Sequence, residues 1–504
     1  MLQKTLFEFC VDSIIEEMER GWGRKSSKGS DIVDPEVSSN PLEHLPTAIL
    51  EEVVRILGKK ELLEKYLRWI ILPQLHTLDL SLEGCEDRNQ HSEKQMFEHL
   101  KCASLKCSML KNLKLTHNVL NEENFIGLLP TFKNLQALDV SHTSVGDNCM
   151  WAVGTHCKYL RSLNVGLCRE VTDFGIQGLC LDYIEKEDDE DKRISKAGDL
   201  EWQENCAPPR LSNSLEILHL YGTKVTDKGL QEALQKLRSL KILEHYSTVE
   251  VLGEMHREDW ENTEKRNKIP KYALSKFVIR NANEQTSIDR VHRAVSHCPL
   301  ITILWIFGRH YMDNANFDVI MIPIVNMIGN SLKEFTLYSF NSFNLCTIID
   351  CCPNLRKLEL CNSDCDTGPI VEKKKYSNIQ ERKTLGKLQE LTLRFFEIST
   401  DDLITLMSSS SLKSIVLCRC ETFNDDILQQ AYDQHSFPNL EYLELYKCPL
   451  VTERGINFLL KERTPLKKIK IIGSWRMYSK EKVEDWNLQM VLKNRQLDIE
   501  FLVD

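Results

Sequence analysis

Nothing in the sequence is long and apolar enough to cross a bilayer: the longest such stretch, 319–328, is short and is broken by Pro323 and Asn326. An excess of positive charge is missing too, since 74 acidic side chains outnumber 64 basic ones and leave a net charge of −10. With no basic field to neutralise phosphates, nucleic acid is not expected as a partner. A signal peptide is not expected either, because Glu8 and Asp12 interrupt what would be its apolar core. P-loop, HExxH and GxSxG motifs are absent, so the common hydrolase signatures are missing. Cysteine is plentiful, at 18 residues, but lacks zinc-ribbon spacing: Cys351, Cys352, Cys361 and Cys365 cluster without paired CxxC steps, and Cys418 with Cys420 forms a CxC. In the absence of an export signal these thiols are expected to be reduced, which points to cytoplasm or nucleus. Neither metal nor cofactor is called for, and no catalytic activity is expected.

What is present is repetition. The pattern Leu-x-x-Leu-x-Leu is met at Leu75, Leu78 and Leu80, and again from Leu110, Leu135, Leu160, Leu215, Leu332, Leu355, Leu388, Leu412, Leu440 and Leu466. Weaker copies start at Leu240, Leu274 and Ile301. About fourteen units at a step near 25 residues identify leucine-rich repeats. Each unit supplies one short parallel strand and one helix and must stack on its neighbours to bury its leucines. The expected fold is therefore α/β, a horseshoe-shaped solenoid with strands on the concave side and helices on the convex side. Segments such as REVTDFGIQGL, TKVTDKGLQEAL and PLVTERGINFLL place Thr at a helix start, where its hydroxyl can cap the first turn. Small hydrogen-bonding side chains recur just after the strand, at Asn118, Thr143, Cys168, Thr223, Ser363, Cys420, Cys448 and Ser474, each able to donate a hydrogen bond to the turn.

The solenoid is expected over 71–475, with an acidic, proline-bearing insertion at 182–213 that contains EKEDDED and a second long step carrying VEKKKYSNIQERK. Residues 476–504 are long enough for a C-terminal cap. Residues 1–70 have a different character and read as a helical module. Leu2, Leu6, Cys10, Ile14 and Met18 recur every fourth position, a slowly drifting apolar stripe on a helix whose remaining surface carries Glu8, Asp12, Glu16, Glu17 and Glu19. Such a helix can lay an apolar edge in a partner's groove. After a Gly-, Ser- and Lys-rich connection, Leu45, Pro46, Ile49 and Val53 open a second apolar helix, in which Pro46 suits the first turn.

The first stretch resembles the elongin C-binding box in Thr5, Leu6, Cys10 and Ile14, within residues 5–14. The second, within 45–57, resembles both a cullin box, in Leu45, Pro46, Ile49 and Val53, and the opening of an F-box. Elongin box, cullin box and leucine-rich repeats in that order are similar to the Zyg-eleven and Zer family of cullin-2 receptors. The resemblance implies a substrate receptor that binds elongin B–C and cullin-2 and presents target proteins for ubiquitination. That family normally adds a C-terminal armadillo domain that reads degrons; no such pattern is seen here, so that activity is not carried over. An F-box receptor of an SCF-type ligase, and a plain leucine-rich repeat scaffold with helical caps, remain alternatives.

Target binding is expected on the strand positions that alternate with the leucines. Early repeats offer Lys114, Thr116, Asp139, Ser141, Asn164 and Gly166; the middle offers His219, Tyr221, Tyr246, Trp305, Phe307 and Tyr338; later come Arg394, Tyr442, Glu444 and Tyr446. Because Trp, Tyr and Arg dominate interface energetics, the expected substrate contacts are Tyr221, Tyr246, Trp305, Phe307 and Tyr338.

Overall fold

The computed structural model describes residues 6–21, 40, 42–59, 62–81, 93–180, 211–262, 269–280, 285–308, 317–339, 345–361, 384–395, 398–435, 437–461, 464–473 and 478–502. The chain divides near residue 248 into two compact units. In the first, helices α1 (Leu6–Gly21), α2 (Thr47–Lys59) and α3 (Leu63–Ile70) precede six parallel strands. These are β1 (Thr77–Asp79), β2 (Asn112–Lys114), β3 (Ala137–Asp139), β4 (Ser162–Asn164), β5 (Ile217–His219) and β6 (Ile242–Glu244), paired in chain order.

The second unit holds nine parallel strands, also paired in chain order. They are β7 (Lys276–Arg280), β8 (Ile303–Phe307), β9 (Glu334–Tyr338), β10 (Lys357–Cys361), β11 (Glu390–Arg394), β12 (Ser414–Cys418), β13 (Tyr442–Tyr446), β14 (Lys468–Ile472) and β15 (Asp498–Leu502). Parallel neighbours require a crossover between strands, and a helix supplies it in repeat after repeat. The protein is an α/β leucine-rich repeat protein whose parallel sheets are built one strand per repeat.

The template leucines explain the fold directly. Every residue of the eleven strong triplets is buried, at most 4% exposed, and so are Leu274, Phe277 and Ile279 and Ile301, Leu304 and Ile306 of two weak copies. The third weak copy buries Leu240 and Leu243 but places His245 at the last leucine position, also buried. At about 25 cal/mol per Å² of apolar area removed from water, each buried leucine contributes about 2 kcal/mol. Register follows: Leu78 pairs with Leu113, and Leu358 with both Phe335 and Leu391. The long sequence steps do not break it. Ser162 still faces Ile217, and Lys357 still faces Glu390.

The insertion 182–213 lies outside the described residues except for its end, where a short helix, Leu211–Ser214, begins, and VEKKKYSNIQERK lies wholly outside them. The helix Phe317–Ile328, around Pro323, buries Met321, Ile324, Val325 and Ile328 while Ile322 and Met327 face outward. Residues 478–502 add the helix Lys480–Leu492 and β15, whose Ile499 and Phe501 match Ile469 and Ile471 in register. The position matching Leu466 in that last strand is Gln496, so the triplet pattern is incomplete there.

Among the described residues, many strands end in a tight turn. Two residues past the last template leucine, the backbone adopts positive φ at His117, His142, Leu167, Ser339, Phe395, Arg419 and Lys447, a conformation that costs a non-glycine residue about 1 kcal/mol. The next side chain bonds a carbonyl at the end of its own strand or of the strand before it. Asn118 donates to the Leu80 carbonyl at 2.7 Å, Thr143 to Val140 at 2.6 Å, Thr223 to Leu220 at 2.8 Å and Cys168 to Val140 at 3.1 Å. Cys420 meets the Thr422 hydroxyl at 3.7 Å instead, and Ser363 and Ser474 lie outside the described residues.

A second device joins successive repeats. The acid opening one helix accepts hydrogen bonds from the Thr that caps the next helix. Asp147 takes the Thr172 N–H and hydroxyl, both at 2.7 Å; Asp173 takes those of Thr226 at 2.7 and 2.6 Å; Asp425 takes those of Thr452 at 2.9 and 2.5 Å. Glu122 does the same for the Gly146 and Cys149 N–H groups. The Thr172–Asp173 pair thus works twice: Thr172 caps its own helix, as Thr226 caps the next, and Asp173 holds Thr226 at the start of that next helix.

Candidate functional site

α1 carries two apolar arcs. At 3.6 residues per turn each residue advances about 100°, so Val11, Ile15 and Met18 fall within about 60° of one another. All three are 0% exposed. They hold the helix to the body, where α1 packs on α2 and the buried Tyr66 hydroxyl donates to the Met18 carbonyl at 3.1 Å. The neighbouring arc looks outward: Cys10 is exposed, Ile14 half-buried, Phe7 42% and Phe9 57% exposed. Leu6 is the first residue of the helix, and Thr5 lies outside the described residues.

The four-residue stripe expected from sequence is corrected at its far end. A step of four residues drifts by about 40°, so by Met18 the stripe has turned from the outward arc into the packed one. Phe7 and Phe9, which the box pattern does not contain, widen the outward arc. Their signal was in the sequence, as two aromatics on a helix whose other apolar arc was already sufficient to bury it.

The second box is divided. Pro46 is exposed, Leu45 and Ile49 are half-buried, and Val53 is 0% exposed. Val53 lies with Leu50, Val54 and Leu57 on the face of α2 that packs into the first unit. As a direct partner contact Val53 is therefore corrected: its side chain is spent on the core. Pro46 stands just before α2, and its carbonyl accepts the Ile49 and Leu50 N–H groups at 3.0 and 3.1 Å. On the same helix Glu51 accepts the backbone N–H groups of His76 and Thr77 at 3.1 and 2.8 Å. The carboxylate thereby closes the free edge of β1, and α2 serves as the cap of the sheet.

The sheet face turned away from the leucine core is polar in the first unit. Asp139 accepts from Ser141 N–H and hydroxyl at 3.0 and 2.6 Å and from the Asn164 amide at 3.0 Å. These bonds tie down what looked like free strand positions, and Thr116 and Ser141 are buried. His219 Nδ1 lies 2.6 Å from Glu244 Oε2 on the next strand. Tyr221 lies flat across Gly166, where a Cβ would stand 2.3 Å from its ring, and burial raises its phenol pKa above the usual range. Tyr246 is the most open aromatic of the five expected contacts, 58% exposed beside the His245 ring at 4.0 Å.

In the second unit the other three expected contacts share one patch. Phe307 and Tyr338, paired in register on β8 and β9, stack at 4.7 Å with ring planes 3° apart. Arg280 lies over Phe307 at 5.4 Å, and Lys276 sits over Trp305 at 3.9 Å. All three aromatics are half-buried rather than open, because these cations and the neighbouring rings cover them. Tyr338 donates to Glu359 at 3.4 Å, and burial, with that carboxylate adding to it, pushes its phenol up to about 12. Tyr221 and Tyr246 belong to the other unit.

Among the described residues no group of three or more His, Cys, Asp or Glu side chains could hold a metal ion, and no helix is long and apolar enough to cross a membrane. Cys352, Cys361, Cys420 and Cys448 are buried thiols, and Cys365 lies outside the described residues. Burial pushes the Cys352, Cys361 and Cys448 thiols up to about 12.

No family model matches the sequence, and no curated protein is similar to it. Among solved structures, the chain is similar to one from a complex of Rad7 and Elc1 in yeast, with 15% identity, 95% of each chain covered and a TM-score of 0.45. It is also similar to a leucine-rich repeat protein of Leptospira interrogans, with 13% identity, 86% of this chain and 91% of that one covered, and a TM-score of 0.34. Likenesses this loose carry no function across.

Proposed function

We propose that this chain is the substrate-recognition subunit of a cullin-2, elongin B–C type ubiquitin ligase, a non-catalytic adaptor acting in cytoplasm or nucleus. Thr5, Leu6, Cys10 and Ile14 dock elongin C; Leu45, Pro46 and Ile49 meet the cullin, with Val53 anchoring their helix. The open faces of the repeats hold the target protein. One observation carries this reading: α1 is fastened by Val11, Ile15 and Met18 and still presents Cys10, Phe7 and Phe9 to solvent. A helix needed only as a cap has no use for a second apolar arc, and exposed apolar surface of this kind commonly marks a docking site.

A second reading, a leucine-rich repeat scaffold with helical caps, is favoured by Glu51 closing the edge of β1. Affinity purification of the tagged chain from cells separates the readings. Recovery of elongins B and C with cullin-2 supports the proposal. Recovery of the F-box adaptor in their place assigns the chain to SCF-type ligases, and recovery of neither leaves the scaffold.

A further inference from the structure

Where the strands of the second unit end, aromatic and basic side chains line one edge of the open sheet face. In register order, Arg280 on β7, Phe307 on β8, Tyr338 on β9 and Arg394 on β11 occupy the last strand position, and Arg419 and Lys447 follow directly after β12 and β13. No Asp or Glu stands at the last strand position from β7 to β15. Among the described residues none stands at the position after it either. In a chain of net charge −10 this is an unusual segregation. The rest of the same face differs. There lysines and carboxylates pair with each other, Lys357 with Glu390 at 3.8 Å and Lys468 with Glu500 at 2.7 Å.

Two arginines on this edge lie over rings. Arg280 lies over Phe307, and Arg419 lies over Phe395 at 5.3 Å. Neither of them, nor Arg394, has a carboxylate partner among the described residues. A guanidinium stacked on a ring keeps its N–H edge available, and that edge matches a carboxylate or phosphate in bidentate geometry.

We propose that this edge binds an extended anionic segment of a partner protein, an apolar or aromatic side chain resting on the Phe307–Tyr338 stack and acidic groups meeting Arg394 and Arg419. The inference deepens the receptor reading, since it names the class of target that the repeats would hold. Strands lie about 4.8 Å apart, so two steps from β9 to β11 span about 10 Å, or about three residues of extended chain. The acidic groups should therefore begin about three residues from the apolar anchor. A uniformly charged polyanion fits less well, because Glu359, Glu444 and Glu500 occupy the adjoining positions of the same face and would repel it.

The test uses the full chain and fluorescein-labelled peptides of about 12 residues. One carries a Trp followed three residues on by a run of Glu; a second has phosphoserine in place of Glu, a third has Lys, and a dT oligonucleotide is the fourth probe. The Glu or phosphoserine peptide should bind, the better of the two identifying the source of the charge. Combined Arg394→Ala and Arg419→Ala should weaken that binding about tenfold or more, and Lys468→Ala should leave it unchanged. Equal affinity for the Lys peptide, no effect of the double substitution, or tighter binding of the oligonucleotide would each overturn the inference. A chain that binds an anionic peptide but not elongin B–C refutes the ligase reading alone. One that binds elongin B–C and ignores both anionic peptides refutes this inference alone.

Discussion

Adjacent aspartates on one helix should differ sharply in what they contribute. Asp425 and Asp426 open the helix Asp425–His435. Asp425 accepts the backbone N–H and the hydroxyl of Thr452, 27 residues on, whereas among the described residues the Asp426 carboxylate pairs with Arg454, the two side chains being 79% and 68% exposed. Hydrogen bonds to an ionised acceptor contribute about 1.5–3 kcal/mol each, and removing the acceptor leaves a part-buried N–H without one. Asp425→Ala should therefore cost about 2–4 kcal/mol of local stability, and Asp426→Ala less than about 1 kcal/mol, as for exposed ion pairs.

Gly455 supplies an independent arm, because a Cβ there would stand 2.3 Å from Asp425 Oδ1. Gly455→Ala gains about 1 kcal/mol of helix propensity but displaces the carboxylate, so the loss outweighs the gain and the sign is destabilising. Hydrogen exchange of amides in 452–461 reads this directly. A loss of about 2 kcal/mol raises opening about 30-fold. Equal protection in the two aspartate variants, or greater protection in Gly455→Ala than in the parent chain, would refute the assignment of Asp425 as the link between repeats.

Other outcomes follow from the same packing. Ile15→Ala should lower stability by about 2–4 kcal/mol, whereas Cys10→Ser should be nearly neutral; urea unfolding separates them, and equal losses would contradict the two-arc description of α1. Gly166→Ala should expel the Tyr221 ring, since a Cβ would lie 2.3 Å from it, and remove the near-ultraviolet circular dichroism of that tyrosine; an unchanged spectrum would argue otherwise. Burial pushes the Cys107 and Cys157 thiols up to about 12, and those of Cys352, Cys361 and Cys448 likewise. The folded chain therefore holds protons that the unfolded chain releases above its ordinary thiol pKa near 9, so stability is intact below about pH 9 and falls between about 9 and 12. Thermal midpoints that stay level from about pH 8 to 11 would contradict it.

Much of the fold was legible because a leucine triplet has one physical solution. Its three side chains cannot be buried within one unit, so the pattern itself demands stacked parallel strands, and even the imperfect triplets from Leu274 and Ile301 are fully packed. The acid-to-threonine links were not legible, because each joins positions about a repeat apart and a Thr-Asp pair reads locally as nothing more than a cap. β15 escaped notice where Gln496 replaces the leading leucine. At α1, spacing of four located an apolar arc but hid its drift, so the buried Met18 was grouped with residues of the neighbouring outward arc. In the second box, four apolar positions could not reveal that Val53 is claimed by the core while Pro46 stays outside. The half-buried aromatics of β8 and β9 were recognisable as strand positions, but not the cations lying over them.

Whether the outward arc of α1 grips a partner is the question on which the account turns. Calorimetric titration of purified elongin B–C into the intact chain, and into its Leu6→Asp, Cys10→Asp variant, answers it. The account predicts saturable binding by the parent chain and a loss of at least about 100-fold in the variant, as expected for charges forced into an apolar contact, with the thermal midpoint of the variant unchanged. Binding of equal strength by both chains, or none by either, would contradict it.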